Sequence, residues 1–195
     1  MRTSRKLVPA SVYMLADHLD GALAAAEDLI KTGSFWPEGS AVEPAIAGTQ
    51  RFAVTRLRRH ELSLVTHILQ ARKYADDLAR ETSLFRGSAH LFSSALLELV
   101  EIGEDFEREA LCEFHAGTDI VGFLRERGLL ASDEAGALPC EPLSIGDSFL
   151  IAGKMPLGIV LDLVSEFLEA LDLHYELYPD PSSEADHDGD IGHAA

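Results

Sequence analysis

Two neighbouring stripes of side chains run through residues 49–82 on the steps of a heptad repeat, which are three or four residues except for one step of seven from Leu57 to Leu64. The apolar stripe consists of Leu57, Leu64, Ile68, Ala71, Ala75 and Leu78. The polar stripe consists of Arg56, His60, Ser63, His67, Gln70 and Tyr74. Such steps keep each set on one face of an α-helix. The pattern therefore predicts a long helix from about Thr49 to Thr82, with an apolar side and, next to it, a line of hydrogen-bonding groups.

Similar patterns predict further helices on both sides of this one. They extend from about Ser11 to Lys31, from Ser88 to His115 with Ser88 as N-cap, from Asp119 to Arg127, and onward from Pro156. Residues 129–155 contain glycine and proline without a helical period, which predicts a short irregular segment before the last helix. The fold class predicted is all-α: an antiparallel helical bundle of four to five helices.

Length and composition predict a simple domain organisation. A chain of 195 residues with 47% apolar residues is about the size of one domain and can bury a continuous core. We therefore expect a single helical domain over residues 1–178. Residues 179–195 are acidic and poor in apolar side chains, and they predict a disordered tail.

The charge of the chain is uneven and bears on its partners. The net charge is −17; residues 1–109 hold 13 Lys/Arg against 16 Asp/Glu, and residues 110–195 hold 3 against 17. A negative field of this kind repels phosphate backbones and anionic lipid, so nucleic acid and membrane surfaces are poor partners. The two cysteines, Cys112 and Cys140, make no disulfide framework and favour a cytoplasmic location. No apolar run reaches transmembrane length, and the N-terminal residues fit the start of an amphipathic helix better than a signal peptide.

The polar stripe is the candidate binding site: Arg56, His60, Ser63, His67, Gln70 and Tyr74. His60 and His67 are seven residues apart, about 10.5 Å along a helix, so they cannot bind one metal ion together. His60-Glu61 begins like a zincin motif, but Leu64 stands where that motif needs its second histidine. The stripe therefore favours a polar seam between helices, and we predict no metal, no cofactor and no catalytic residue.

A second group of residues predicts an interaction face on the same helix. It combines apolar side chains away from the first stripe with a basic side: Leu62, Val65, Leu69, Arg58, Arg59, Arg72 and Lys73. The last helix is likewise apolar over much of its circumference, with Ile159 and Leu163 beside its heptad set. A helix that is apolar on two sides is either central in its bundle or needs a partner. The leading hypothesis is thus a non-enzymatic cytoplasmic interaction or regulatory protein, acting through helix faces as a homodimer.

Two alternatives stay open. The first is a helical-bundle enzyme or a ligand- or metal-binding protein that uses His60, His67 and Tyr74 with carboxylates of neighbouring helices. The second is a DNA-binding regulator, since the pattern of residues 119–130 is similar to that of a recognition helix. The negative charge of the chain opposes DNA binding. Two acidic clusters were compared with known metal sites, and neither predicts one. The first lacks the companion ligands of a di-iron site: Glu98, Glu101, Glu104 and Asp105. The second lacks those of a calcium loop: Asp186, Asp188 and Asp190.

Overall fold

The computed structural model describes residues 8–37, 44–97, 99, 119–130, 138–139 and 141–178, with the backbone alone for 44–47. In this part of the chain the helices are α1 Ala10–Ser34, α2 Pro44–Glu81, α3 Arg86–Ala95, α4 Ile120–Glu126 and α5 Leu157–Tyr175. Two short strands, β1 Leu150–Ile151 and β2 Met155–Pro156, pair antiparallel. The predicted all-α bundle is confirmed, and the irregular segment before the last helix contains this hairpin.

Helices α1 and α2 form an antiparallel pair. Ser11 donates a hydrogen bond to Glu81 at 3.0 Å at one end of the pair, and Asp28 lies near His60 further along. The buried stripe of α1 steps by three and four residues: Val12, Leu15, Leu19, Ala22, Ala26 and Leu29. All six members of the predicted apolar stripe of α2 are buried against the same core. The heptad pattern of α2 therefore identified its packing face correctly.

Helices α3 and α5 pack through aromatic rings. The ring centroids of Phe92 and Phe167 are 5.2 Å apart, and those of Phe85 and Tyr175 are 5.8 Å apart, so the two helices run antiparallel. Ser88 is not the N-cap that was predicted, because α3 already begins at Arg86. Helix α3 ends at Ala95, and most of its predicted continuation to His115 lies outside the described residues, as does the tail from residue 179.

Helix α4 and the β1–β2 hairpin have well-defined ends. The Asp119 carboxylate caps α4 by accepting a hydrogen bond from the Gly122 N–H at 2.9 Å. Gly128 follows the helix with φ +72°, a conformation that glycine adopts without the steric cost of a side chain. Ala152 and Gly153 turn the hairpin with φ values of +52° and +73°.

The irregular segment closes one end of the α1–α2 pair. The Trp36 indole donates to the Pro139 carbonyl at 2.9 Å, and the Leu143 N–H donates to the Gly33 carbonyl at 3.1 Å. Leu143 and Ile145 are buried there, within the core that the helices share. No helix among the described residues is long and apolar enough to cross a membrane.

Candidate functional site

The polar stripe of α2 lies along α1. His67 packs directly over Gly21 of α1, where an added Cβ would come within 2.4 Å of the imidazole ring. A glycine at this position is therefore what lets the ring lie between the two helices. His60, one heptad away, places its Nδ1 atom 3.9 Å from the Asp28 carboxylate. Three members of the stripe, His60, His67 and Tyr74, thus lie against α1 and form a polar seam between the two helices.

A histidine pair stands at the centre of this seam. The Nδ1 atoms of His18, on α1, and His67, on α2, are 3.2 Å apart. Tyr74 stacks on the His18 ring, with centroids 5.6 Å apart and an angle of 16° between the planes. All three side chains are partly buried. The seam therefore brings two imidazole nitrogens together within reach of solvent.

The surroundings of His18 favour a neutral imidazole. Burial lowers the pKa of His18, the nearby His67 lowers it further, and Asp17 opposes both effects. A hydrogen bond between the two Nδ1 atoms requires that one ring carry its proton on that nitrogen and the other not. Two charged rings at this distance would repel each other, so the pair holds at most one positive charge in its observed geometry.

The remaining stripe residues do not join this cluster. Arg56 and Gln70 are exposed, and Ser63 is partly buried. Burial lowers the pKa of His60, while Asp28 raises it. The structure thus brings His67 and Tyr74 together and leaves His60 in a separate contact with a carboxylate.

A residue near the C-terminal end of the described chain contacts α1. The Tyr178 hydroxyl donates a hydrogen bond to the Asp20 carboxylate. Burial and this bond both raise the pKa of the Tyr178 hydroxyl. The end of the described chain is therefore attached to α1 two residues from His18.

A second polar centre, which the sequence did not indicate, lies in the core. Glu61 of α2 is 0% exposed and Arg127, just after α4, is 6% exposed. The Arg127 Nε donates to Glu61 Oε1 at 3.0 Å, and its Nη2 donates to Oε2 at 3.3 Å. The Ala152 N–H adds a bond of 2.6 Å to Oε1. Burial raises the pKa of Glu61, and these donors counteract that rise. This centre attaches α4 and the hairpin to α2.

The predicted interaction face of α2 is largely covered within the chain. Val65 is 1% exposed and belongs to the core, and Leu62 and Leu69 are partly buried against it. Of the basic residues on the same helix, Arg59 and Lys73 are exposed and Arg58 and Arg72 are partly buried. Val65 is therefore not accessible to a partner in this fold.

An apolar surface does occur between α3 and α5, and we call it the α3–α5 face. Large apolar side chains on these helices, or just before α3, are exposed: Leu84 57%, Leu91 67%, Ile159 52% and Leu173 88%. A cavity of about 130 Å³ lies between the helices, lined by Ser88, Leu91, Phe92, Leu163, Glu166 and Phe167. The sequence had indicated part of this surface through the apolar circumference of the last helix.

Comparison of the chain with known protein families, with curated proteins and with solved structures gave no match. Among the described residues, no group of three or more His, Cys, Asp or Glu side chains is placed to hold a metal ion. The chemistry of the site must therefore be argued from its own geometry. Its main elements are the His18–His67 pair, the Glu61–Arg127 pair and the α3–α5 face.

Proposed function

We propose that this chain is a non-enzymatic helical interaction protein that forms a homodimer through the α3–α5 face. The observation that carries the proposal is an exposed leucine directly beside a cavity of mixed polarity. Leu91 is 67% exposed and also forms part of the lining, together with Phe92, Phe167 and the polar Ser88 and Glu166. A projecting apolar side chain next to a recess with two phenylalanines in its lining suits a symmetric contact between two copies.

Two-fold symmetry makes such a surface complementary to itself. In an isologous dimer the same patch is used by both protomers, so Leu91 of each copy can enter the cavity of the other. The cavity measures about 130 Å³. A cavity of about 150 Å³ is large enough for benzene, so the volume here is sufficient for one aliphatic side chain. Leu84 and Ile159, both more than half exposed, extend the apolar contact beyond the cavity.

The charges favour one orientation of the two copies. Helix α5 exposes Asp162, Glu166 and Glu169 and contains no lysine or arginine. Helix α3 contains no acidic residue and exposes Arg86. Placing α3 of one protomer on α5 of the other brings opposite charges together, whereas contact between the two α5 helices would bring like charges together. Charge pairs at such a rim select orientation more than they add affinity.

We also infer a cytoplasmic location for this activity. The support is the low cysteine content, Cys112 and Cys140 alone in 195 residues. Secreted domains of modest size commonly depend on several disulfides, and this chain can form one at most.

Sedimentation velocity over a range of concentrations tests the dimer. We expect wild-type protein to be dimeric and Leu91→Asp to raise the dissociation constant by about 30-fold or more, as for a central interface residue. Phe52→Asp is the matched control, because Phe52 is 62% exposed and lies on α2. It should dimerise like wild type. A wild-type protein that stays monomeric at high concentration would refute the proposal, and equal weakening by both substitutions would remove the α3–α5 face as the interface.

A further inference from the structure

The distance between the two histidine nitrogens matches the geometry of a metal site. The 3.2 Å between His18 Nδ1 and His67 Nδ1 is at the long end of the hydrogen-bond range. Tetrahedral zinc binds imidazole nitrogens at about 2.0–2.1 Å, which places two such ligands about 3.3 Å apart. The pair therefore already has the separation of two adjacent ligands on one ion.

The chemical state of the pair also suits a metal ion. Imidazole binds a metal through the lone pair of a neutral ring, so a proton on that nitrogen competes with the ion. The hydrogen bond between the two Nδ1 atoms requires one of them to be unprotonated, so a nitrogen lone pair is already present at the pair. Imidazole is a common ligand of zinc, copper and nickel, whereas calcium and magnesium prefer oxygen.

Neighbouring residues hold the two histidine rings in place, and solvent can reach both rings. Gly21 leaves room for the His67 ring, and Tyr74 stacks on the His18 ring, so both imidazoles are held between two long helices. Both histidines keep partial exposure, and the exposed Asp17 acts electrostatically on His18. A nearby carboxylate attracts cations.

We propose that His18 and His67 are the two protein ligands of an open transition-metal site across the α1–α2 seam. The ion is a divalent one of the zinc class, and water or a small anionic ligand completes its coordination. Because one ligand comes from each helix, binding holds α1 and α2 together. This proposal does not depend on the homodimer, since the α3–α5 face is formed by other helices.

Titration of the full-length protein with zinc chloride at pH 7.5 tests the site. We expect one zinc ion to raise the thermal midpoint of unfolding, and EDTA to reverse the rise. His18→Gln and His67→Gln should each weaken zinc binding by more than about 100-fold, which exceeds what the loss of an outer-shell partner commonly costs. His60→Gln is the matched control and should bind zinc like wild type, because His60 contacts Asp28 in a separate part of the seam.

A measurement on the wild-type protein protects the test against variants that fail to fold. In histidine ring spectra recorded by NMR, zinc should shift the signals of His18 and His67 and leave those of His60 in place. Absence of binding at millimolar zinc would overturn the proposal. Unchanged ring signals of His18 and His67 during binding, or wild-type affinity in both glutamine variants, would overturn it as well.

Discussion

Glu61 and Arg127 form an ion pair that is almost completely removed from solvent, with exposed fractions of 0% and 6%. The contact is bidentate, and Arg127 also lies over the Phe123 ring at 4.7 Å from its centroid. Because the Ala152 N–H donates to the same carboxylate, one side chain of α2 organises both α4 and the hairpin. The pair thus connects segments that are 66 residues apart in sequence.

Loss of one partner of this pair should be costly. Arg127→Met leaves the Glu61 carboxylate buried without its counter-charge, and breaking a buried pair in this way costs about 3–5 kcal/mol. We expect urea unfolding to show a loss of that size in the free energy of unfolding. The matched control is Arg80→Met, which removes an exposed arginine that contacts Asp77 at 2.9 Å. Exposed pairs contribute about 0–1 kcal/mol, so the control should remain close to wild type.

Replacing both partners separates the charge from the packing. Glu61→Leu combined with Arg127→Met removes both buried charges and keeps similar volume, so the double variant should be more stable than Arg127→Met alone. The same urea titrations provide the comparison. A cost below about 1 kcal/mol for Arg127→Met, or a double variant that is less stable than the single one, would contradict the assigned role.

Gly21 and Gly48 both lie inside helices, and comparing their replacement by alanine tests whether the His67 ring needs the space above Gly21. Glycine to alanine inside a helix commonly stabilises by about 1 kcal/mol, and nothing lies within 4 Å of a Cβ at Gly48, so Gly48→Ala should stabilise the protein. At Gly21 the Cβ would come within 2.4 Å of the His67 ring and displace it from His18. Gly21→Ala should therefore destabilise by roughly 1–3 kcal/mol in thermal or urea unfolding.

The contact with His67 can be isolated by a double-mutant cycle. In a His67→Ala background the ring is absent, so Gly21→Ala should gain the ordinary helix preference of alanine and stabilise the protein. If Gly21→Ala has the same effect with and without His67, the ring does not depend on that glycine.

Helical periodicity in the sequence was sufficient to predict the packing face of α2. Leu57, Leu64 and Leu78 are each 0% exposed, and they were assigned to the packing face from their heptad spacing alone. His60, His67 and Tyr74 of the polar stripe lie against α1, because their position beside the apolar face places them at the edge of the helix contact, whereas Arg56 and Gln70 are exposed. Helical periodicity therefore predicted which face of α2 packs against the core.

Contacts between distant segments were not predictable in the same way. His18 contacts His67 only because α1 and α2 pair antiparallel in one particular register, and no local pattern specifies that register. Glu61 lies next to the polar stripe in sequence, yet its partner Arg127 belongs to another helix. The sequence contains one signal for this pair. Glu61 is a lone carboxylate between apolar positions of α2, and a carboxylate buried there needs a counter-charge. The start of α3 was missed because Ser88 resembled a cap.

His60 makes the pH dependence of the seam measurable. Burial lowers the pKa of His60 below its ordinary value of 6.5, so the unfolded chain binds the proton first as the pH falls. The contribution of His60 to stability is therefore complete above pH 6.5 and is lost as the pH falls from 6.5 towards the lowered pKa. Because Asp28 raises the pKa of His60, Asp28→Asn should lower it further. NMR titration of the His60 ring in the presence of EDTA measures both values, and a rise in Asp28→Asn would contradict the assignment.

Helix α5 ends on a residue whose backbone favours glycine. Glu176 has φ +52° and ψ +54°, and its N–H bonds the Asp172 carbonyl at 2.7 Å. A left-handed conformation costs a residue with a side chain about 1–2 kcal/mol, and a negative charge is also unfavourable at a helix C-terminus. Glu176→Gly should therefore raise the free energy of unfolding by about 0.5–1 kcal/mol. Glu176→Gln controls for the charge, and Glu169→Gly, inside the same helix, should destabilise by about 1 kcal/mol. Urea unfolding measures both free energies of unfolding. If Glu176→Gly and Glu169→Gly both raised this free energy, or both lowered it, Glu176 would not end the helix in this conformation.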